Sequence, residues 1–298
     1  MKGGQARWDA FRVNTTNPPT VPPERFPVRI GPDSVGFVAM LSRPDGAKIH
    51  WERRGEGPAL YIAHNPMVSM SGNFDALLAD LARDHRVVTW DPRGVGQSSD
   101  GGPYDLGTDA EDLAAVIEEA GPGGVTVSLG NSPAPLDLVG TQPELFAAVL
   151  LVGALPQLAP SDSDEPESLT DSGSVTAATL QMARTDPRAL LRTWMTLGNP
   201  QLNEAELQER MEDQLAYCPV SAGVPRVESY ISYNASRSCA ELGDRLWMIH
   251  WENPISADRA LTRLRARLPE AHIVETEDGP ISRPDQTAAV VREVTASL

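Results

Sequence analysis

Apolar positions along this chain fall into two alternating periods. Ala59-Leu60-Tyr61-Ile62-Ala63-His64 is a continuous apolar run, the pattern of a strand buried on both faces. Phe74, Leu77, Leu78 and Leu81 then recur at i, i+3, i+4 and i+7, which predicts an amphipathic helix. Arg86 to Trp90 reads as the next strand, and Leu113, Val116, Ile117 and Ala120 share one face of a second helix. Thr108 and Glu111 have the spacing of a capping box for that helix, and Gly121-Pro122-Gly123-Gly124 ends it. Val125 to Leu129, Phe146 to Val152, Arg245 to His250 and Ala271 to Thr276 are further strands. Leu261, Leu264 and Leu268 mark a helix after Ser256, its N-cap, and Asp285 to Leu298 forms a closing one. Val35 to Leu41 and Ala47 to Arg54 flank Pro44-Asp45-Gly46 and predict an edge hairpin. Strands and helices alternating through short connections require an α/β fold: a mostly parallel sheet with helices on both faces.

The rhythm fails in two places. Residues 1–34 carry Pro18, Pro19, Pro22, Pro23 and Pro27 and read as an extended arm. After Pro156 an acidic, apolar-poor stretch, Ser161 to Ser168, precedes helical patterns around Leu190, Leu191 and Trp194 and around Leu207, Met211 and Leu215. The expected organisation is a core of residues 35–156 and 244–298 interrupted by a helical cap at 157–243.

Composition narrows the partners. A net charge of −16 with no Lys/Arg cluster argues against nucleic acid or an anionic membrane. The longest apolar run, Phe146 to Leu155, falls well below the ~20 residues of a membrane span. Met1 to Pro23 is polar and lacks the apolar centre of a secretory signal, so a cytoplasmic protein is expected. Cys218 and Cys239 match no metal spacing and read most simply as free thiols, with a disulfide between them left open. A homodimer is compatible with the sequence.

The chemistry-bearing motif is Gly130-Asn131-Ser132-Pro133-Ala134, which follows a β-branched strand and precedes a helix starting near Pro135. Strand, tight turn with a central Ser, then helix is the arrangement of a nucleophile elbow. Asp91-Pro92-Arg93-Gly94-Val95-Gly96-Gln97-Ser98 is a second, more specific stretch. With these two motifs the chain resembles the α/β-hydrolase superfamily from about residue 35 to residue 298, and the cap is the weakest part of the likeness. Within the octet the resemblance implies a structural role: glycines permit the turn, and Arg93 ties down carbonyls beside the site.

The resemblance implies a Ser, then an acid, then a His in chain order. Ser132 supplies the first. The acid is expected just past the strand ending at His250, where Asn253 stands in its place and Glu252 is one residue away. The His is expected after the last strand in a Gly-His pair, where the chain reads Gly279-Pro280. No histidine follows His272, which opens that strand at the opposite end of the sheet. Pro133 lacks the N–H that the residue after the Ser lends to an oxyanion hole, a loss that typically slows acyl transfer by ~10²–10³-fold. Three departures around intact scaffold motifs resemble family members with a degenerate triad.

Ligands of an open α/β sheet bind beyond the carboxyl ends of its strands. The candidates there are His64, Asn65, Pro66 and Met67, then Asn131, Ser132 and Pro133, then His250, Trp251, Glu252 and Asn253, and finally Asp278 to Ile281 with Pro280 among them. His64 stands where the family has the His of a His-Gly pair. It serves either as a brace for its loop or as a surviving acid/base, with the Asn65 amide donating to an oxyanion. Asn131, Ser132, Asn65 and Asn253 form a neutral hydrogen-bonding floor. Met67, Met70, Met182, Trp194, Met195, Tyr230 and Tyr233 are either pocket walls or ordinary core. Three functions follow. The leading one is a triad-less, cofactor-independent enzyme that cyclises, eliminates or isomerises a mostly apolar small molecule, as tailoring enzymes of natural-product pathways in this superfamily do. The others are a non-catalytic binding protein, and a serine hydrolase with His64 as relocated base and Glu252 or Asp278 as its acid.

Overall fold

A computed structural model describes residues 36–67, 74–130, 132–153, 156, 158, 172–198, 202–251 and 258–298. The arm at 1–34, the acidic stretch, Met70, Asn131, Glu252, Asn253 and the expected N-cap Ser256 lie outside these residues.

Among the described residues eight strands form one sheet: β1 Gly36–Ser42, β2 Lys48–Arg54, β3 Ala59–His64, β4 Arg86–Trp90, β5 Gly124–Leu129, β6 Phe146–Val152, β7 Leu246–His250 and β8 His272–Glu275. Their spatial order is β1-β2-β4-β3-β5-β6-β7-β8. The β1–β2 hairpin and the β2–β4 pair are antiparallel, and every other pairing is parallel. Helices α1 Asp75–Leu81, α2 Leu106–Ala120, α3 Ala134–Val139, α9 Asp258–Arg267 and α10 Pro284–Ala296 connect or close these strands. Five more, α4 Ser172–Thr185, α5 Pro187–Gly198, α6 Glu204–Tyr217, α7 Val220–Ile231 and α8 Ser236–Leu242, lie between β6 and β7.

Period-two patterning places successive strand residues on opposite faces. Tyr61, Ala63, Val149, Leu151, Leu246 and Met248 pack with α2, α3 and α8 on one face. Leu60, Ile62, Ala148, Leu150, Trp247 and Ile249 pack with α1 and α10 on the other. Each fully buried Leu, Ile or Val contributes roughly 1.5–3 kcal/mol relative to exposure, so both faces are firmly held. Met67 joins Ala183, Leu190, Leu191, Met195, Leu207, Met211 and Val227 in a third cluster inside the helical insertion. No helix among the described residues is long and apolar enough to cross a membrane.

Two local expectations change. The α2 helix begins earlier than a Thr108 cap allows, because the Asp105 side chain accepts from Thr108 N–H at 2.8 Å and takes the N-cap position. Arg93 does not bind carbonyls. It forks onto Asp112 with bonds of 2.7 and 3.0 Å and also reaches Asp45. A planar guanidinium matches a carboxylate better than isolated carbonyls do.

The topology points to one crevice. From β3 the chain runs outward through α1 to β4, then crosses back through α2 to β5 on the other side of β3. Strand order therefore reverses between β3 and β5, and α/β sheets bind ligands beyond the carboxyl ends of strands at such a reversal.

Candidate active site

Ser132 stands at that reversal. All six residues of β5 are buried, and the chain leaves the strand through Gly130 at φ 62°, a left-handed conformation that favours glycine. Ser132 is 3% exposed, and its carbonyl accepts from Ser128 Oγ at 2.7 Å, so the strand braces its own turn. Pro133 is the N-cap of α3, and its carbonyl accepts from Asp137 N–H at 3.0 Å. Proline has no N–H, so this position offers no donor to a charge developing on a substrate.

The neighbouring loop comes from β3. His64 pairs with Leu129 in the parallel ladder, and Asn65 N–H donates to the Leu129 carbonyl at 3.3 Å. The Asn65 carboxamide oxygen accepts from Met67 N–H at 3.1 Å, an Asx turn that shapes the loop. Gln214 of α6 donates to the Pro66 carbonyl at 2.7 Å, clamping the loop from above. Met67 lies against Gly223 of α7 so closely that a Cβ there would strike its sulfur, which explains a glycine inside that helix.

A chain of polar groups runs back from His64. Its Nε2 is 2.8 Å from the Tyr217 hydroxyl, which donates to Asp91 Oδ1 at 2.8 Å. Asp91 Oδ2 lies 3.0 Å from His50 Nδ1. Beyond it, His50 Nε2 is 3.6 Å from Glu52, which pairs with Arg54 at 2.8 Å. A phenol has one proton, and Tyr217 spends it on Asp91, so the contact with His64 must use an imidazole Nε2–H. Burial drives the His64 pKa down to about 4; the Arg226 charge adds to this and Asp91 opposes it. His64 is therefore a neutral ring at ordinary pH. Burial also disfavours charge on His50, but Asp91 and Glu52 outweigh it and its pKa rises.

A second chain stands behind the serine. Tyr230 of α7 donates to Asp109 Oδ2 at 2.7 Å, and Arg226 forks onto the same carboxylate at 2.7 and 3.0 Å. Arg226 also donates to the Arg93 carbonyl at 2.7 Å and the Ala222 carbonyl at 3.1 Å, and its guanidinium lies 5.2 Å from the Tyr104 ring centre. Both side chains of the pair are fully buried. Burial works against the charge on Arg226, and Asp109 outweighs it, so the guanidinium stays ionised. The Ser132 hydroxyl lies near enough to the Tyr230 phenol to hold its pKa down slightly. Burial and Asp109 push that pKa well above the usual phenol value. Among the described residues, the ring nitrogens of His50, His64 and His85 bond to Asp91, Tyr217, Asp84 and Thr295, not to Ser132.

The far side of the crevice is built from β6, β7 and β8. The Trp251 ring lies against Gly153 and Gly279, and Pro280 is buried beside it. His250 is buried at the end of β7, and its carbonyl accepts from Thr276 N–H at 2.9 Å. Asp278 is exposed, and its Oδ1 accepts from Gly279 N–H at 2.7 Å. His272 stacks on Trp247 with ring centres 4.0 Å apart, at the amino end of the strands.

Of the expected site residues, Ser132, Pro133, His64, Asn65 and Met67 come together at the ends of β3 and β5. Trp251 and Pro280 lie together across the sheet. Trp194 packs, with Met182, on the insertion's own cluster, and Tyr233 packs on the core and bonds Ser238 at 2.9 Å. Cys218 and Cys239 are free and buried, and burial pushes both thiols up to about 12. Sequence reasoning missed Tyr217, Asp91, Asp109 and Arg226. A signal existed for the last two: Asp109 sits four residues before Leu113, and Arg226 four after Ala222, each on its helix's buried stripe. Opposite charges on two apolar stripes have to pair.

A family model described as the alpha/beta hydrolase family matches residues 63–290. Several solved structures share the fold. A bromoperoxidase from Bacillus anthracis is 16% identical with a TM-score of 0.67, over 87% of this chain and 98% of that one. An esterase from Exiguobacterium antarcticum is 15% identical with a TM-score of 0.68, over 87% and 100%. An alpha/beta hydrolase enzyme from a Medee basin deep-sea metagenome is 14% identical with a TM-score of 0.69, over 87% and 97%. No curated protein matches the chain.

Proposed function

The chain belongs to the alpha/beta hydrolase family, and we propose that it is an enzyme that transforms a small, mostly apolar molecule without forming a serine acyl-enzyme. Cyclisation, elimination and isomerisation are the reaction types that suit it, as in a tailoring step of natural-product biosynthesis. The observation that carries this reading is the company of Ser132. Among the described residues, one group near the Ser132 hydroxyl is the phenol of Tyr230, whose own proton goes to Asp109. A neutral phenol cannot take the Ser proton, so that neighbour cannot act as the base of nucleophilic catalysis. Pro133 in place of an N–H donor and Pro280 in place of a His support the same reading. Orientation and fixed dipoles can lower the barrier to a unimolecular rearrangement by several kcal/mol with no covalent intermediate. Ser132 and Asn65 then serve as contacts of the pocket floor, with Trp251 as an apolar wall, while Met67 belongs to the packed cluster of the insertion.

One observation favours a second reading, serine hydrolysis with His64 as base: the β3–β5 register sets His64 beside the elbow strand. Short-chain p-nitrophenyl esters separate the two. The expected result is no p-nitrophenol release above that of a Ser132→Ala variant; saturable release that the variant loses would establish the hydrolase reading.

A further inference from the structure

We propose that Tyr217 and Asp91 are positioning residues that hold His64 as its Nε2–H tautomer, so that the site offers Nδ1 as a hydrogen-bond acceptor to a hydroxyl or N–H of its substrate. The proposal rests on the elbow crevice being the site, and it adds the class of group that His64 recognises.

Proton counting along the chain fixes the polarity. Asp91 accepts from Tyr217 at Oδ1 and from Gln97 N–H and His50 at Oδ2, so its carboxylate is filled with donors. If Tyr217 turned its proton toward His64, Asp91 Oδ1 would lose its donor in a buried place, which is the costlier arrangement. The phenol oxygen is then the acceptor, and Nε2 must be the nitrogen that carries hydrogen. Nδ1 lies on the other side of the ring from this contact and holds the lone pair. Among the described residues, the hydrogen bond made by the ring is the one at Nε2.

The backbone keeps the ring in place as firmly as the relay does. His64 ends β3, Asn65 N–H is tied to Leu129, and the loop beyond is clamped by Gln214. Tyr217 is held by its own carbonyl, which accepts from Gly96 N–H at 2.9 Å. These bonds hold the His64 backbone and the Tyr217 backbone in place, and a flip of the ring itself would break the Nε2–Tyr217 bond in a buried place.

An acceptor at this point selects its ligand. A neutral alcohol, phenol or N–H presents a proton to the Nδ1 lone pair. A carboxylate or phosphate presents only lone pairs of its own and is repelled. The charge of the whole chain, −16, works in the same direction. His64 in this role orients a substrate by its hydroxyl or N–H; it does not polarise a carbonyl, and no oxyanion is received there.

The test is nuclear magnetic resonance on the 15N-labelled full chain at pH 7, with phenol and its methyl ether, anisole, as probes. Long-range 1H–15N spectra are expected to show His64 neutral and protonated at Nε2. Phenol is expected to move the Nδ1 resonance saturably, with anisole at least tenfold weaker. Tyr217→Phe, which removes the acceptor, is expected to shift His64 toward the Nδ1–H form. A wild-type His64 that is charged or protonated at Nδ1 would overturn the proposal, with no variant needed. Equal binding of anisole and phenol, or no saturable phenol shift, would overturn its substrate half. Acylation of Ser132 would defeat the non-hydrolytic function and leave the tautomer result standing, so the two failures are distinguishable.

Discussion

Two of the side chains by which the insertion reaches the core are tyrosines, alike in chemistry and opposite in consequence. Tyr217 of α6 donates to Asp91 and Tyr230 of α7 donates to Asp109, each at 2.7–2.8 Å and fully enclosed. Behind Tyr230 the carboxylate meets Arg226, a group that stays charged at every accessible pH. Beside Tyr217 the phenol meets His64, a group that titrates. The first bridge is an anchor and the second is adjustable. The same Tyr–Asp unit holds structure or tunes a site according to the base at its end.

Breaking the anchor should have the largest effect. Arg226→Ala leaves Asp109 buried without its counter-charge, which typically destabilises by about 3–5 kcal/mol. Urea unfolding monitored by circular dichroism measures it. Replacing both partners, Asp109→Leu with Arg226→Met, should recover most of the loss. A double variant as unstable as the single one would show that more than charge pairing is at stake.

The adjustable bridge should appear in the pH dependence of stability. The folded pKa of His64 is depressed to about 4, so between that value and about 6.5 the protein holds it neutral while the unfolded chain does not. Its contribution is complete above the unfolded value near 6.5 and is lost as pH falls through about 4, at most about 3 kcal/mol in all. Urea midpoints between pH 7 and 4 should follow this loss, and His64→Gln should flatten the curve in that window. His50, whose pKa is raised, acts with the opposite sign: its contribution is present below about 6.5 and fades above it.

The two tyrosines sharpen the contrast with a smaller effect. Tyr217→Phe and Tyr230→Phe each remove a hydrogen bond to a charged group, worth about 1.5–3 kcal/mol. Only Tyr217→Phe should also change the titration of His64. Equal changes in both variants would erase the distinction between the bridges.

The sheet was legible because each strand is a short apolar run between turn signals, and Ala59–His64 and Arg86–Trp90 coincide with β3 and β4. Local patterns also located Ser132, since strand, glycine and helix sit within a dozen residues. Neither bridge was legible, because Tyr217 and Asp91 are 126 residues apart and Tyr230 and Asp109 are 121 apart. A tyrosine on a helix's apolar stripe reads as core, and nothing local reveals that its hydroxyl crosses to another element. The α2 start is not legible for a related reason: Asp105 and Thr108 both suit an N-cap, and only backbone geometry chooses between them.

The central claim is that Ser132, at the end of β5, is a contact and not a nucleophile. Incubating the intact protein with a fluorophosphonate and locating any adduct by peptide mass spectrometry tests it directly. The expected result is an unmodified Ser132 under conditions that label a control serine esterase completely. A stoichiometric adduct on Ser132, absent from Ser132→Ala, would contradict it.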